Sequence, residues 1–159
     1  MRNLWAPWRM KYITAPKKDE RCLFCRVAEE NKDDENYVLA RKARCFIMLN
    51  LYPYNNGHLM ISPYSHVESL EDLSKEDRDA LFETVAKACE NLRKEMEPDG
   101  FNIGINIGTV AGAGFAGHVH VHVVPRWAGD TNFMPVLGDV KVISDALEAT
   151  YRKLKKHQF

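Results

Sequence analysis

Hydrophobic and polar positions alternate along most of the chain, and the period changes from segment to segment. Between Phe101 and Gly108, the apolar Phe101, Ile103, Ile105 and Ile107 alternate with Asn102, Gly104 and Asn106, a period of two that predicts a strand. The same period returns at Gly117–Arg126, where His118, His120 and His122 alternate with Val119, Val121 and Val123. β-branched filler favours a strand, and its alternation puts the three imidazoles on one face and the valines on the other. Apolar runs at Tyr37–Ala40, Cys45–Leu49 and His58–Ser62 predict three more strands, the last ended by Pro63. Between them lie polar turns at 31–36, 41–44 and 50–57, the last rich in turn formers: Pro53, Asn55, Asn56 and Gly57.

Over Ser74–Met96 the period lengthens to that of a helix. Leu81, Val85, Ala88, Leu92 and Met96 form one apolar stripe. Ser74 is a suitable N-cap, Glu76 and Asp77 favour the first turn, and Pro98-Asp99-Gly100 is a stop. A short helix at Cys22–Glu30 and a terminal helix at Ser144–Lys156 complete the pattern. Loops fill Thr109–Gly117 and residues 126–140. Short turns between strands predict antiparallel pairing with the helices on one side, an α+β domain. Residues 1–159 read as one domain. An N-terminal arm (1–21) carries Trp5, Trp8 and Tyr12, and a C-terminal loop and helix span 126–159.

Composition removes several function classes. The 22 basic and 22 acidic residues balance, so no strong field points to nucleic acid or an anionic membrane. No apolar run approaches the roughly 18 residues of a membrane span. The first residues lack a signal-peptide core, and a cytoplasmic protein is expected. Of the four cysteines, Cys45 and Cys89 sit in apolar patterns as small hydrophobes. Cys22 and Cys25 form a CxxC pair, open to three uses: a metal half-site, a redox couple, or two unligated thiols. Zinc takes thiolate and imidazole in tetrahedral sets, which makes His66 and His118 the candidate complement to Cys22 and Cys25.

The remaining histidines suit phosphoryl chemistry. A neutral imidazole can attack phosphorus and split one displacement into two. His120, central in the run, is the candidate nucleophile; His122 is the candidate clamp on a phosphate oxygen. Asn50 and His58 close and open neighbouring strands; Asn50 is placed to hold ribose or phosphate, and His58 to support catalysis or packing. The glycine-rich stretch from Asn106 through Gly112 and Gly114 to Gly117 offers backbone N–H groups to an anion, or is a hairpin connection. Trp127 is a candidate for base stacking.

The run His118–Val124, with Phe46-Ile47-Met48-Leu49-Asn50, Pro53, Gly57-His58-Leu59-Met60-Ile61, Pro63 and His66 upstream, resembles the histidine triad superfamily over roughly residues 22–126. The segments Leu4–Arg9 and Pro125–Pro135 look like the bacterial branch that includes diadenosine tetraphosphate phosphorylases and relatives of the fragile-histidine-triad hydrolases. The resemblance implies a five-stranded antiparallel sheet with two main helices, paired as a homodimer. It implies cleavage at the α-phosphate of a dinucleoside polyphosphate through a nucleotidyl-histidine at His120. In zinc-bearing relatives the ligands would fall on Cys22, Cys25, His66 and His118. The metal is expected to be structural, and magnesium could accompany the polyphosphate. Where many members carry Gln followed by Ser or Thr, this chain has Gly114-Phe115, so backbone N–H groups would replace those contacts and leave room for a second anion. The alternative is a purine-nucleotide-binding signalling module with slow phosphoramidase or hydrolase activity.

Overall fold

The computed structural model describes residues 21–131, 143 and 145–159. The N-terminal arm to residue 20 and the segment 132–142 lie outside the described residues. So do the aromatic anchors read at Trp5 and Trp8, and the helix start read at Ser144.

Among the described residues nine elements follow one another: α1 (Leu23–Glu29), β1 (Val38–Arg41), β2 (Cys45–Leu49), β3 (Leu59–Pro63), α2 (Lys75–Met96), β4 (Gly100–Ile105), a one-turn 3-10 helix (Thr109–Ala111), β5 (Val121–Arg126) and α3 (Leu147–Leu154). The strands form one antiparallel sheet in the order β1-β2-β3-β5-β4. The short turns make β1, β2 and β3 a meander. The chain then leaves through α2, returns on the far edge as β4, and inserts β5 beside β3. That insertion carries the histidine run to the middle of the sheet, where Met60 pairs with His122 on one side and Gly104 on the other.

Helix α2 begins where the sequence placed it. Ser74 accepts a hydrogen bond from the Asp77 amide at 3.0 Å, and Glu97 closes the helix in the left-handed conformation. Leu81, Ala88 and Leu92 of the stripe are fully buried against Ile47, Leu49, Ile61, Val121 and Val123, and α3 adds Tyr151 and Leu154 to the same core. Each such side chain contributes roughly 1.5–3 kcal/mol of burial. Gly57 is needed where the β2–β3 loop meets this helix. Its φ is +73°, and a Cβ there would lie 2.8 Å from the Met96 sulfur.

The expectation that the helices share one side is corrected. Helix α1 packs on the opposite face, where Phe24 and Val27 join Val38, Phe46, Met48 and Met60 in a second core. Seven residues are too few to show an amphipathic stripe, so the sequence pattern could not assign its face. The three α-helices among the described residues fall on the three segments read as helical, the short one included beside the two main ones that the resemblance implied. The histidine strand also starts later than its alternation suggested. Its ladder begins at Val121, while the Val119 amide donates to the Val67 carbonyl at 2.7 Å. β4 stops at Ile105 instead of Gly108, because the chain turns through Gly108 at φ +80°.

Candidate active site and metal cluster

One backbone or side-chain partner sets the proton on each imidazole of the run. His118 Nε2 donates to the Pro63 carbonyl at 3.0 Å, which leaves Nδ1 as a lone pair. His120 Nδ1 donates to the His118 carbonyl at 2.8 Å, which leaves Nε2 as a lone pair. Among the described residues Nε2 of His120 makes no hydrogen bond, and no buried side-chain nitrogen or oxygen lacks a partner, so Nε2 meets solvent. Burial holds the His120 imidazole below its ordinary pKa, against the bond to the His118 carbonyl, which acts the other way. The ring is therefore neutral near pH 7 and carries the basic nitrogen outward.

His122 is set from the other side. The Tyr54 amide donates to His58 Nδ1 at 3.1 Å, with Asn50 Nδ2 at 3.4 Å from the same nitrogen. His58 Nδ1 is thus an acceptor, and its Nε2 donates to His122 Nδ1 at 2.9 Å. The proton of His122 must then sit on Nε2. Its ring centroid is 4.8 Å from that of His120. His120 and His122 thus present a lone pair and a donor side by side, the pair a phosphoryl transfer uses.

The loop supporting His58 is itself clamped. Asn55, buried, donates to the Pro125 carbonyl at 3.1 Å and to Asp130 Oδ2 at 2.8 Å. Its own carbonyl accepts from the His58 amide. Arg126 holds Asp130 through Nε at 2.6 Å and a second nitrogen at 2.7 Å. The Arg126 guanidinium keeps the Asp130 carboxyl well below the usual carboxylate range.

At the head of the run, Cys22 Sγ, Cys25 Sγ, His66 Nδ1 and His118 Nδ1 lie within 4.8 Å of one another. His118 Nδ1 is 3.3 Å from Cys22 Sγ, 3.6 Å from Cys25 Sγ and 3.3 Å from His66 Nδ1; Cys25 Sγ is 3.2 Å from His66 Nδ1. A tetrahedral zinc with Zn–S of about 2.3 Å and Zn–N of about 2.0–2.1 Å places its ligand atoms roughly 3.3–3.8 Å apart. The donor set and its spacing therefore fit zinc. Burial, and then Cys22 alongside, push the Cys25 thiol up to about 11; a divalent cation reverses that pressure.

Of the residues singled out in the sequence, the structure gathers Cys22, Cys25, His66 and His118 at one end of the run and Asn50, His58, His120 and His122 at the other. Asn50 Oδ1 accepts from the Tyr52 amide at 2.9 Å, so its side chain is partly spent on its own turn. Asn106 Nδ2 is 3.5 Å from the Gly112 carbonyl, inside the glycine-rich loop, and Gly112 and Gly114 are exposed. Phe115 packs inward on Phe24 at 5.9 Å. Trp127 donates through its indole nitrogen to the Met96 carbonyl at 3.2 Å, at the end of α2. The sequence reading missed the Tyr54 amide, the Pro63 carbonyl and the Asn55–Asp130–Arg126 clamp. None of these carried a signal in the sequence: Arg126 and Asp130 are four residues apart, but at a strand end and in the loop after it, where that spacing does not by itself bring side chains together.

The HIT domain family matches residues 31–129. The chain is 42% identical over 161 residues to a Mycobacterium tuberculosis protein named AP-4-A phosphorylase, covering 97% of this chain and 83% of that one. It is 37% identical over 82 residues to the asymmetrical bis(5'-nucleosyl)-tetraphosphatase of Schizosaccharomyces pombe, 52% of this chain and 44% of that one. Among solved structures, a zinc-bound histidine triad family protein from Mycobacterium smegmatis superposes with a TM-score of 0.68 at 24% identity, over 85% of this chain and 91% of that one, and shares the fold. The fold, the match and the extent of identity place this chain in the HIT domain family.

Proposed function

We propose that this protein is an enzyme that cleaves dinucleoside polyphosphates at the α-phosphate, with His120 as nucleophile. The observation that carries the reading is the fixed pair of tautomers: an outward lone pair on His120 Nε2 beside a proton on His122 Nε2. His120 Nε2 attacks the α-phosphorus. The P–N bond forms, the P–O bond to the leaving nucleotide breaks, and its electron pair stays on the leaving oxygen. His122 donates to a non-bridging oxygen where charge grows. An incoming oxygen then takes the nucleotidyl group and returns the pair to Nε2. Asn50 Nδ2 remains available to a ribose hydroxyl or a phosphate oxygen. Amides of the Asn106–Gly117 loop, Gly114 among them, would line the polyphosphate, while the Gly112 amide closes its own turn on the Thr109 carbonyl at 3.0 Å.

The second acceptor is inorganic phosphate in this reading. It is supported by the phosphorylase named at 42% identity and by the position of Phe115, whose ring packs on Phe24 and so would not itself take the space of an incoming anion. Cys22, Cys25, His66 and His118 would hold zinc, which supplies a cross-link between α1, the β3–α2 loop and the histidine run. The single-domain protein would act as a homodimer, with the exposed edge of β4 at Ile103, and Ile107 just beyond its end, as the surface for a second copy.

The test is diadenosine tetraphosphate turnover with and without inorganic phosphate. ADP plus ATP, formed only with phosphate, is expected. AMP plus ATP at a phosphate-independent rate would make the protein a hydrolase. Tight binding without turnover would leave it a nucleotide-binding module.

A further inference from the structure

The sulfurs of Cys22 and Cys25 belong to the candidate metal cluster; of the two residues between them, Phe24 lies against the histidine run. Phe24 is fully buried. Its ring centroid lies 4.5 Å from that of His120 at an interplanar angle of 37°, and 5.2 Å from that of His118 at 43°. Phe115 meets it edge-on at 5.9 Å and 78°, and Phe46 at 6.4 Å and 52°, so the Phe24 ring is held from two further sides.

A single hydrogen bond at Nδ1 fixes the tautomer of His120 but leaves its ring free to swing about that bond. An aromatic face laid against the imidazole removes the swing and keeps water from that side. Attack on phosphorus demands a defined line between the nitrogen lone pair and the breaking bond, and a small misplacement is costly. Phe24 has no exposed surface with which to touch a substrate, so its influence runs through His120.

We infer that Phe24 is a positioning residue for His120, and that the CxxC turn serves two ends at once, its cysteines holding the metal cluster and its phenyl ring aligning the nucleophile. The inference rests on the reading of His120 as nucleophile. Packing alone would explain a buried phenylalanine, but packing predicts only a loss of stability.

The test is Phe24→Leu in the full, zinc-loaded chain. It keeps an apolar side chain and removes the flat face. The expected result is a fall in kcat of about 10- to 100-fold with KM changed less than about threefold, and zinc content unchanged. Leu81→Ala, in α2 on the other face of the sheet, should lower the melting temperature while leaving kcat as it was. Phe24→Met, which fills irregular space without a ring, is the second variant should leucine not fold. In the wild-type NMR spectrum the carbon-bound ring protons of His120 should lie upfield of those of His157, which meets no aromatic ring among the described residues. That displacement should vanish in either Phe24 variant. Unchanged kcat in a folded, zinc-loaded Phe24 variant, or no upfield displacement in the wild type, overturns the inference. Turnover surviving His120→Ala would instead remove the nucleophile reading, with the ring-current displacement still in place.

Discussion

At the His118 end of the histidine run, two sulfurs and two imidazole nitrogens crowd within 4.8 Å of one another and find partners only among themselves and the Pro63 carbonyl among the described residues. At the His122 end, every partner is supplied by the chain: the Tyr54 amide, His58, Asn55, Asp130 and Arg126 close on one another. The first support is a cluster of donors with the spacing of zinc ligands, the second a finished hydrogen-bond network. The run from His118 to His122 thus ties one reactive centre to two anchors of different chemistry, so the two can be broken separately. Conditions that strip metal should reach only the first, and strong acid should reach the second.

The largest effect expected is on chemistry alone. His120→Asn should lower turnover about 10⁴-fold or more with little change in melting temperature, because neither anchor is touched; assays and thermal melts on the same preparation check it. Next comes removal of metal. If free zinc stands a thousandfold above its dissociation constant, chelation removes about 4 kcal/mol, on the order of 10 °C in melting temperature for a chain of this size. The rate constant should fall less than stability does, and part of the fall should be absent in Phe24→Leu, whose His120 has already lost its platform. Retention of the full melting temperature under a strong chelator would show that the first anchor needs no metal.

Smaller again is Asn55→Ala, which removes the side-chain donor to the Pro125 carbonyl and one of three donors to Asp130 Oδ2, and should cost about 1–3 kcal/mol. Unlike the chelated protein, this variant should not recover when zinc is added. The smallest effect is on the acid limb. Asp130 is held below its ordinary value, mainly by Arg126. A depressed carboxylate contributes stability that is present above the unfolded pKa of about 3.9 and is lost as pH falls through the folded value. The gap in melting temperature between wild type and Asp130→Asn should therefore narrow below about pH 4. A gap that stays constant from pH 5 to pH 2 would disconnect the clamp from Asp130's charge.

Much of this was legible in the sequence because side-chain periodicity reports on faces. Cys45–Leu49 and the α2 stripe are found where the pattern put them, and the CxxC pair, the first histidine of the run and the histidine after Pro63 are the four residues that the structure gathers within 4.8 Å. Less legible were contacts made by groups common to all residues. The Tyr54 amide, the Pro63 carbonyl and the His118 carbonyl decide which nitrogen of each imidazole is basic, and no letter of the sequence marks them. Phe24 was hidden for another reason. In a seven-residue helix one aromatic residue is as readily filler as function, and only the packing of α1 on the histidine face distinguishes them.

Gly104 has a consequence for size. It stands directly across from His122 on β4, as Met60 does on β3. Directly paired residues share a face, so His122 has a thioether for one neighbour and a notch for the other. A Cβ at position 104 would meet nothing within 4 Å. The notch is therefore adjustable: Ala, Val and Leu at 104 would narrow the passage beside His122 in steps, with the sheet undisturbed. Under the proposed chemistry a side chain added at this one position would be a graded probe of how much bulk the space beside His122 admits.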